Sequence, residues 1–348
     1  GSTARGPKKM TTATVFNAIV GQQHATRLLK TFIRNGTLPH ALLFTGDEGV
    51  GKKTTATAFA MACNCLQLKS AIRHQRPRLD AVDACGECGP CRKIAGNHHP
   101  DVIHVAPLSS VIRIAQIRTL LQALTLKPNE AERRVVILSD AQAMNPEAGN
   151  ALLKVLEEPP DRTLLVLTAR QTSDLLPTIV SRCQHIRFSP LRAADIKQLL
   201  TAAGGIEPES IAAVAALCGG SYTRAVKLID SRWLNRRDWI IQAMGSQMAD
   251  HGEFGIRAWL AWSEILAKKK DLIEESLEII TMWLRDLLVV GCDASRVLNL
   301  DRLDALHETA RQVGPANLTK QIDAVDHALA ALRSNTNSRL TLDAMVLK

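Results

Sequence analysis

The chain contains 348 residues and 46% of them are hydrophobic, which is enough for two or three domains with buried cores and excludes an intrinsically disordered protein. Its 43 Lys and Arg residues outnumber its 34 Asp and Glu residues, and the resulting net charge of +9 is compatible with acidic partners, nucleic acid included. The sequence has no run of about 18 apolar residues and no signal-peptide pattern, so we expect neither a membrane span nor export. We set residues 1–9, which precede Met10, aside as an added tail.

The first predicted elements are a strand, a glycine loop and a helix. The apolar run 41–45 is typical of a buried strand, and the Ala-rich stretch 53–66 predicts a helix. The loop between them has the spacing of a Walker A phosphate loop, which needs this strand and helix on its two sides. Its candidate phosphate-binding residues are Gly46, Gly49, Gly51 and Lys52.

The last position of this phosphate loop departs from the Walker A pattern. Lys53 stands where a Ser or Thr hydroxyl normally ligates Mg²⁺. An ammonium group has no free lone pair and cannot ligate a cation. The sequence therefore predicts a nucleotide-binding scaffold with a compromised metal position, and it leaves open whether ATP or ADP still binds.

A second departure follows the predicted strand at 133–140. This strand ends in Asp140, which matches the acidic residue that a Walker B strand supplies to Mg²⁺. The next position often carries a Glu that positions the attacking water, but here it is Ala141, whose methyl group cannot polarise water. Together the two departures predict that this chain does not hydrolyse ATP by itself.

The following segment predicts another helix and another strand. Asn145 is a suitable N-cap, Pro146 fits the first turn, and Pro159-Pro160 ends the helix. An apolar run at 164–168 predicts the next strand. Continuous apolar strands that alternate with helices indicate a parallel sheet with both faces covered.

Three cysteines are closely spaced as Cys85-x-x-Cys88-x-x-Cys91. In a chain without an export signal, this spacing indicates a metal site rather than disulfides, and it places the protein in the cytoplasm. Zn²⁺ takes four tetrahedral ligands, so a fourth is required, with Cys65 and Cys63 as candidates and His98 and His99 as alternatives. Four closed ligands predict a structural zinc without catalytic chemistry.

The region after residue 190 changes to a helical pattern. Residues 191–230 predict short helices, and from about 235 onward apolar residues recur at steps of three and four. We therefore predict an α/β domain at 10–190 with an inserted zinc module at about 63–95, a helical domain at 191–235 and an all-α domain at 236–348. One helical face is formed by Leu277, Ile280, Leu284, Leu287 and Leu288.

The tripeptide Ser181-Arg182-Cys183 lies near the end of the α/β region. An arginine in such a place can stabilise charge on the γ-phosphate of a neighbouring subunit. A surface salt bridge is the ordinary alternative for Arg182.

These segments occur in an order that resembles one family. The series consists of Phe16-x-x-Ile19-Val20-Gly21-Gln22, His40 to Phe44, the phosphate loop, the cysteine cluster, Asn150 to Pro160 and Ser181-Arg182-Cys183. It is similar to the AAA+ clamp-loader subunits of bacterial DNA polymerase III over about 14–190. Two segments of the tail, Trp283 to Leu288 and Asn335 to Leu342, are similar to the collar domain of that family. The resemblance implies a P-loop AAA+ domain with a parallel sheet, a small helical lid and an all-α collar that mediates oligomerisation.

Within this family, the tau/gamma ATPase keeps Lys-Thr or Lys-Ser in the phosphate loop and Asp-Glu in Walker B. Another member has degenerate versions of both and keeps the Ser-Arg-Cys arginine. Lys53 and Ala141 make this chain resemble the second kind. The family implies that Arg182 acts in trans on a neighbour's ATP and that Cys65 is the fourth zinc ligand beside Cys85, Cys88 and Cys91.

The resemblance also implies partners: the tau/gamma ATPase subunits, the delta subunit, the sliding clamp and primed DNA through the assembled complex. Two alternatives stay open. The chain could be an active tau/gamma-type ATPase, or a different AAA+ switch that controls a partner outside replication.

Overall fold

The computed structural model describes residues 15–75, 77–248, 253–268, 272–334 and 336–347. The predicted tail at 1–9 and Asn335 of the collar-like segment lie outside these ranges. The described chain divides into two compact units, one formed by 15–204 with 219–224 and the other by 205–218 with 225–347. The three-domain division, with bounds at 190 and 235, stays a prediction.

A parallel sheet forms the centre of the first unit. Its strands in chain order are β1 (Ala41–Thr45), β2 (Val102–Val105), β3 (Arg134–Leu138), β4 (Thr163–Ala169) and β5 (Gln184–Arg187). They are arranged in the order β2-β3-β4-β1-β5, and each neighbouring pair is parallel. The central strands β1, β3 and β4 are buried along their whole length, as expected when helices cover both faces. The sequence predicted these three strands.

Helices cover this sheet on both faces. The helices of the first unit, in chain order, are α1 (Gln23–Asn35), α2 (Lys52–Asn64), α3 (Leu66–Gln75), α4 (Gly89–Ala95), α5 (Ile114–Leu124), α6 (Pro146–Glu157), α7 (Pro177–Val180) and α8 (Ala193–Ala203). Successive β1 side chains point to opposite faces. Leu42 and Phe44 join the core cluster that contains Phe59 of α2, and Leu43 joins the cluster that contains Leu152 of α6.

The bounds of two of these helices can be compared with the sequence prediction. The Oδ1 atom of Asn145 accepts a hydrogen bond from the N–H of Ala148 at 3.0 Å, and Pro146 is the first residue of α6, as predicted. The helix predicted at 53–66 ends earlier than expected. Cys65 has an extended backbone conformation that ends α2, and α3 begins at the next residue.

The remaining helices follow in chain order. They are α9 (Pro208–Leu217), α10 (Tyr222–Asp230), α11 (Trp233–Met248), α12 (Glu253–Ala267), α13 (Ile273–Val290), α14 (Leu303–Gln312), α15 (Pro315–Arg333) and α16 (Ser338–Val346). In the second unit α13 packs against α11, α14 and α15. Trp283 and the predicted face of α13 are buried, except that Leu288 is partly exposed.

A buried carboxylate joins α13 to the segment that follows it. Asp286 is fully buried, and its oxygens accept hydrogen bonds from the backbone N–H groups of Leu298 and Asn299 at 3.0 Å and 2.8 Å. Asn299 Nδ2 and Arg285 Nη1 also donate to it, at 2.8 Å and 2.7 Å. These hydrogen bonds replace those that water would make to the carboxylate, and they offset the cost of burying its charge.

Candidate functional site

The glycines of the phosphate loop have backbone conformations that other residues rarely adopt. Gly46, Gly49 and Gly51 have φ angles of 145°, 78° and 97°, all in the left-handed region that favours glycine. A Cβ atom at Gly46 would lie 2.5 Å from the carbonyl oxygen of Phe188. Glycine is therefore required at these positions for the loop between β1 and α2 to adopt the curled conformation of a phosphate loop.

The loop lysine binds the loop itself. Lys52 Nζ donates hydrogen bonds to the carbonyl oxygens of Gly46 and Asp47, at 2.5 Å and 2.7 Å. Its side chain is buried, and burial lowers the pKa of Lys52 although the carboxylates of Asp140, Asp47 and Glu48 oppose this shift. The ammonium group that would contact phosphate is thus held by two backbone carbonyls.

The residues after Lys52 show what stands at the metal position. Lys53 and Thr54 are exposed, whereas Thr55 is buried and its Oγ1 donates to the carbonyl oxygen of Gly51 at 2.9 Å. The Thr55 hydroxyl is therefore engaged inside the first turn of α2. Lys53 has no hydroxyl that could ligate Mg²⁺, and the hydroxyl of Thr54 lies about 100° further round the helix.

Asp140 follows β3 at the carboxyl edge of the sheet. It is exposed and has a φ angle of 55°, and its backbone N–H donates to Thr168 Oγ1 at 3.0 Å. Its negative charge raises the pKa of Lys52, against the larger effect of burial. Ala141 is buried, so this position presents no polar group to a water molecule.

Two contacts of the loop were missed by the sequence reasoning. The buried Gln22 donates from Nε2 to the carbonyl oxygens of Val50 and Ser189, at 3.1 Å and 2.7 Å. Tyr222 donates its backbone N–H to the carbonyl oxygen of Gly49 at 3.0 Å. Gln22 belongs to the family-like segment at 16–22, but its spacing alone gave no indication that it fixes the phosphate loop.

Arg182 follows α7 and lies at the surface. Its Nη2 atom donates to Glu157 Oε1 at 2.6 Å, and its Nη1 atom donates to the carbonyl oxygen of Thr178 at 3.0 Å. The Arg182 side chain is 35% exposed. The salt bridge that the sequence left as an alternative is present, and the guanidinium group is also accessible from outside the chain.

Four cysteines come together between α2 and α4. The Sγ atoms of Cys65, Cys85, Cys88 and Cys91 all lie within 4.8 Å of one another, and those of Cys85 and Cys91 are 4.0 Å apart. Zn–S bonds of about 2.3 Å place the sulfurs of a tetrahedral site roughly 3.8 Å apart. Cys65 and Cys91 are buried, and all four are free thiols.

Backbone amides already stabilise negative charge on this cluster. The N–H groups of Leu68 and Cys85 donate to Cys65 Sγ at 3.5 Å and 3.3 Å, and the N–H of Cys88 donates to Cys85 Sγ at 3.3 Å. The Cys91 thiol, and then the amides of Leu68 and Cys85, lower the pKa of Cys65 to about 4, against burial, which raises it. A thiolate is the form that ligates Zn²⁺, so this donor set fits zinc.

The other candidate ligands lie outside this cluster. Burial raises the pKa of Cys63 to about 12, and Cys63 is not among the four cysteines whose sulfurs group together. His99 is buried, and its Nδ1 accepts the backbone N–H of Asp101 at 3.2 Å. Cys65 is therefore the fourth member of the group that the fold assembles.

The comparison with family models covers most of the chain. Residues 21–192 match the family described as DNA polymerase III, delta subunit. Residues 235–348 match the family described as DNA polymerase III, delta subunit, C terminal.

Curated relatives agree with these models. The DNA polymerase III subunit delta' of Bacillus subtilis is 28% identical over 337 residues, covering 94% of this chain and 95% of that protein. The subunit delta' of Pseudomonas aeruginosa is 39% identical over 192 residues, covering 54% of this chain and 55% of that protein. The subunit gamma/tau of Mycobacterium tuberculosis is 28% identical over 364 residues, covering 95% of this chain and 60% of that protein.

Among solved structures, a DNA polymerase III gamma subunit-related protein from Thermotoga maritima has a TM-score of 0.42 and 18% identity, covering 93% of this chain and 97% of that one. In the part of the chain that is described, no helix has the length and apolar character needed to cross a bilayer.

The predicted α/β fold with a parallel sheet and a helical C-terminal region is confirmed. The matched models and the delta' relatives show that the chain belongs to the delta' family of DNA polymerase III clamp-loader subunits.

Proposed function

We propose that this chain is a non-hydrolysing clamp-loader subunit that supplies Arg182 to the ATP site of a neighbouring ATPase subunit. The observation that carries the proposal is a contrast between two cations. Lys52 is bound inside its own phosphate loop, whereas Arg182 is accessible at the surface.

The chain's own nucleotide site lacks parts that hydrolysis needs. Lys53 occupies the position of the Mg²⁺-ligating hydroxyl, and Ala141 occupies the position of the water-positioning Glu. Nucleotide would also have to displace two carbonyl oxygens from Lys52 before the ammonium group could contact phosphate. These three features support a site that does not turn over ATP, while weak binding of ATP or ADP is compatible with the curled loop.

The surroundings of Arg182 support a role in trans. An arginine supplied by a neighbouring protein stabilises the charge that develops on the transferred phosphoryl group. Arg182 follows a four-residue helix, and part of its guanidinium group is exposed. A neighbouring subunit that packs against this surface would therefore meet a cation without unfolding any element of this chain.

The proposal includes an assembly in the cytoplasm. The partners would be tau/gamma ATPase subunits and a delta subunit, and the complex would load the sliding clamp onto primed DNA during replication. The family membership and the relatives named delta' and gamma/tau support this assembly.

We also propose that the four-cysteine cluster binds one structural Zn²⁺. The ligands would be Cys65, Cys85, Cys88 and Cys91, and the ion would crosslink the end of α2 to the loop before α4. Four protein ligands leave no open position for substrate, so the metal would stabilise the fold and take no part in a reaction.

An active tau/gamma-type ATPase is the second candidate, because Lys52 and Asp140 are both present and the charge of Asp140 acts on Lys52. The two candidates differ in the turnover of the isolated chain. We expect the purified protein to hydrolyse ATP no faster than its Lys52→Ala variant, with and without Mg²⁺. Metal-dependent turnover that Lys52→Ala abolishes would instead identify an ATPase.

A further inference from the structure

We propose that Glu157 is a positioning residue for Arg182, and that its carboxylate holds the guanidinium group in one orientation before a neighbouring subunit contacts it. This inference rests on the proposed function, since it adds a second residue to the trans role of Arg182. Glu157 acts through Arg182 and would not itself touch the neighbour's phosphate.

The guanidinium group is held from two sides. Glu157 Oε1 accepts a hydrogen bond from Nη2 at 2.6 Å, while the carbonyl oxygen of Thr178 and the Oγ of Ser181 accept from Nη1 at 3.0 Å and 3.4 Å. Within the described residues, Arg182 Nε–H and the second hydrogen of Nη2 have no partner. The group is therefore fixed in the chain and still presents donors to an incoming anion.

Helix stability does not explain the location of Glu157. It is the last residue of α6, where the carbonyl end of the helix disfavours a carboxylate. An exposed ion pair also adds little to the stability of a fold. Arg182 is its hydrogen-bonding partner in the described part of the chain, so orienting that arginine is the function that its contacts support.

Orientation matters because a free arginine side chain samples many rotamers. A guanidinium group that is already fixed loses less conformational entropy when it meets a phosphate, and its planar donors keep one direction. Removing the carboxylate would leave Arg182 with contacts at one side only, from its own short helix. We therefore expect loss of Glu157 to weaken the effect of Arg182 without removing it.

The chain offers a matched control in Glu158. It is adjacent, exposed and also acidic, but it makes no hydrogen bond or ion pair with Arg182. Glu158→Gln changes the net charge by the same amount as Glu157→Gln at the next position. A difference between the two variants would thus report the contact with Arg182 rather than the charge of the helix end.

The test uses a clamp loader reconstituted from this chain with its ATPase and delta subunits. Its ATP turnover is measured at saturating ATP in the presence of sliding clamp and primed DNA. We expect Glu157→Ala to lower turnover by at least roughly threefold, and Glu157→Gln to lower it less, with assembly unchanged. In an Arg182→Ala background the Glu157→Ala change should have no further effect. This non-additivity separates positioning from a general structural defect.

Three outcomes overturn the inference: turnover of Glu157→Ala equal to that of Glu158→Gln, an increase in turnover, or the same fractional loss in the Arg182→Ala background. If Arg182→Ala itself leaves turnover unchanged, the proposed trans role fails as well. If Arg182→Ala lowers turnover and Glu157→Ala does not, only the positioning role of Glu157 is rejected.

Discussion

Lys52 Nζ lies 2.7 Å from the carbonyl oxygen of Asp47 and donates a hydrogen bond to it, so the phosphate loop binds its own lysine. Replacing this lysine with Ala should leave two loop carbonyls without their partner. Because a hydrogen bond contributes about 0.5–1.5 kcal/mol net, we expect Lys52→Ala to lower the free energy of unfolding by about 1 kcal/mol. Urea unfolding measures the change.

The matched control for that variant is Lys53→Ala at the adjacent exposed position, which should leave stability within about 0.5 kcal/mol of the parent chain. Equal stability of Lys52→Ala and Lys53→Ala would show that the carbonyl contacts of Lys52 do not stabilise the folded loop.

The cysteine cluster makes a prediction about metal content. We expect elemental analysis of the purified protein to give about one zinc per chain. Cys65→Ser should lose this zinc because we propose Cys65 as its fourth ligand, and Cys63→Ser should retain it because Cys63 lies outside the four-cysteine cluster. Zinc retained by Cys65→Ser and lost by Cys63→Ser would reverse the ligand assignment, and a folded, metal-free parent chain would reject the zinc site.

The segment just before Cys85 also makes hydrogen bonds to the first described segment of the chain, which begins at Val15. Asp83 accepts hydrogen bonds from the backbone N–H groups of Phe16 and Asn17, at 2.9 Å and 2.8 Å. We expect Asp83→Ala to speed hydrogen exchange at these two amides, since opening them would no longer break a hydrogen bond. Zinc removal should do the same because it loosens the loop that carries Asp83.

Asp80→Ala is the control for this effect, as Asp80 is exposed three positions earlier and makes no hydrogen bond to Phe16 or Asn17. Unaltered exchange at both amides in Asp83→Ala would mean that other contacts hold this segment.

Histidines make stability depend on pH. Burial lowers the pKa of His104 below 6.5, and the charge of Lys53 lowers it further. Below 6.5 the unfolded chain then binds more protons than the folded chain, so the free energy of unfolding falls as the pH drops from 6.5 towards the folded-state pKa. Urea unfolding at about pH 7.5 and about pH 5.5 should show a smaller difference for His104→Gln than for the parent chain.

His98→Gln serves as the comparison because His98 is exposed. Burial also lowers the pKa of His99, so some pH dependence should persist in His104→Gln. A pH dependence that is identical in the parent and His104→Gln would exclude His104 as a contributor.

The sequence predicted the elements whose signals are local. The apolar runs gave β1, β3 and β4, and Asn145 with Pro146 gave the start of α6, because capping and strand burial are encoded in a few adjacent residues. β2 and β5 were not predicted, since each has four residues, and β5 lies at the edge of the sheet with mostly exposed side chains.

Contacts between distant residues could not be read from spacing. From the residues alone, Cys63 and Cys65 were both possible ligands, and the end of α2 at Asn64 determines which of them faces Cys91. Arg182 and Glu157 are 25 positions apart, and Gln22 is 167 positions from Ser189. Only the folded sheet brings these pairs together.

The central claim is that Arg182 acts on a neighbour's ATP, and the most direct measurement is ATP turnover of the reconstituted loader with clamp and primed DNA. The comparison is between Arg182→Ala, Arg182→Lys and the control Arg187→Ala, which removes an exposed arginine of β5. We predict that Arg182→Ala lowers turnover by at least roughly tenfold, that Arg182→Lys restores only part of it and that Arg187→Ala has little effect, while every complex assembles. An intact complex whose turnover is the same with Arg182→Ala as with the parent chain would contradict the account.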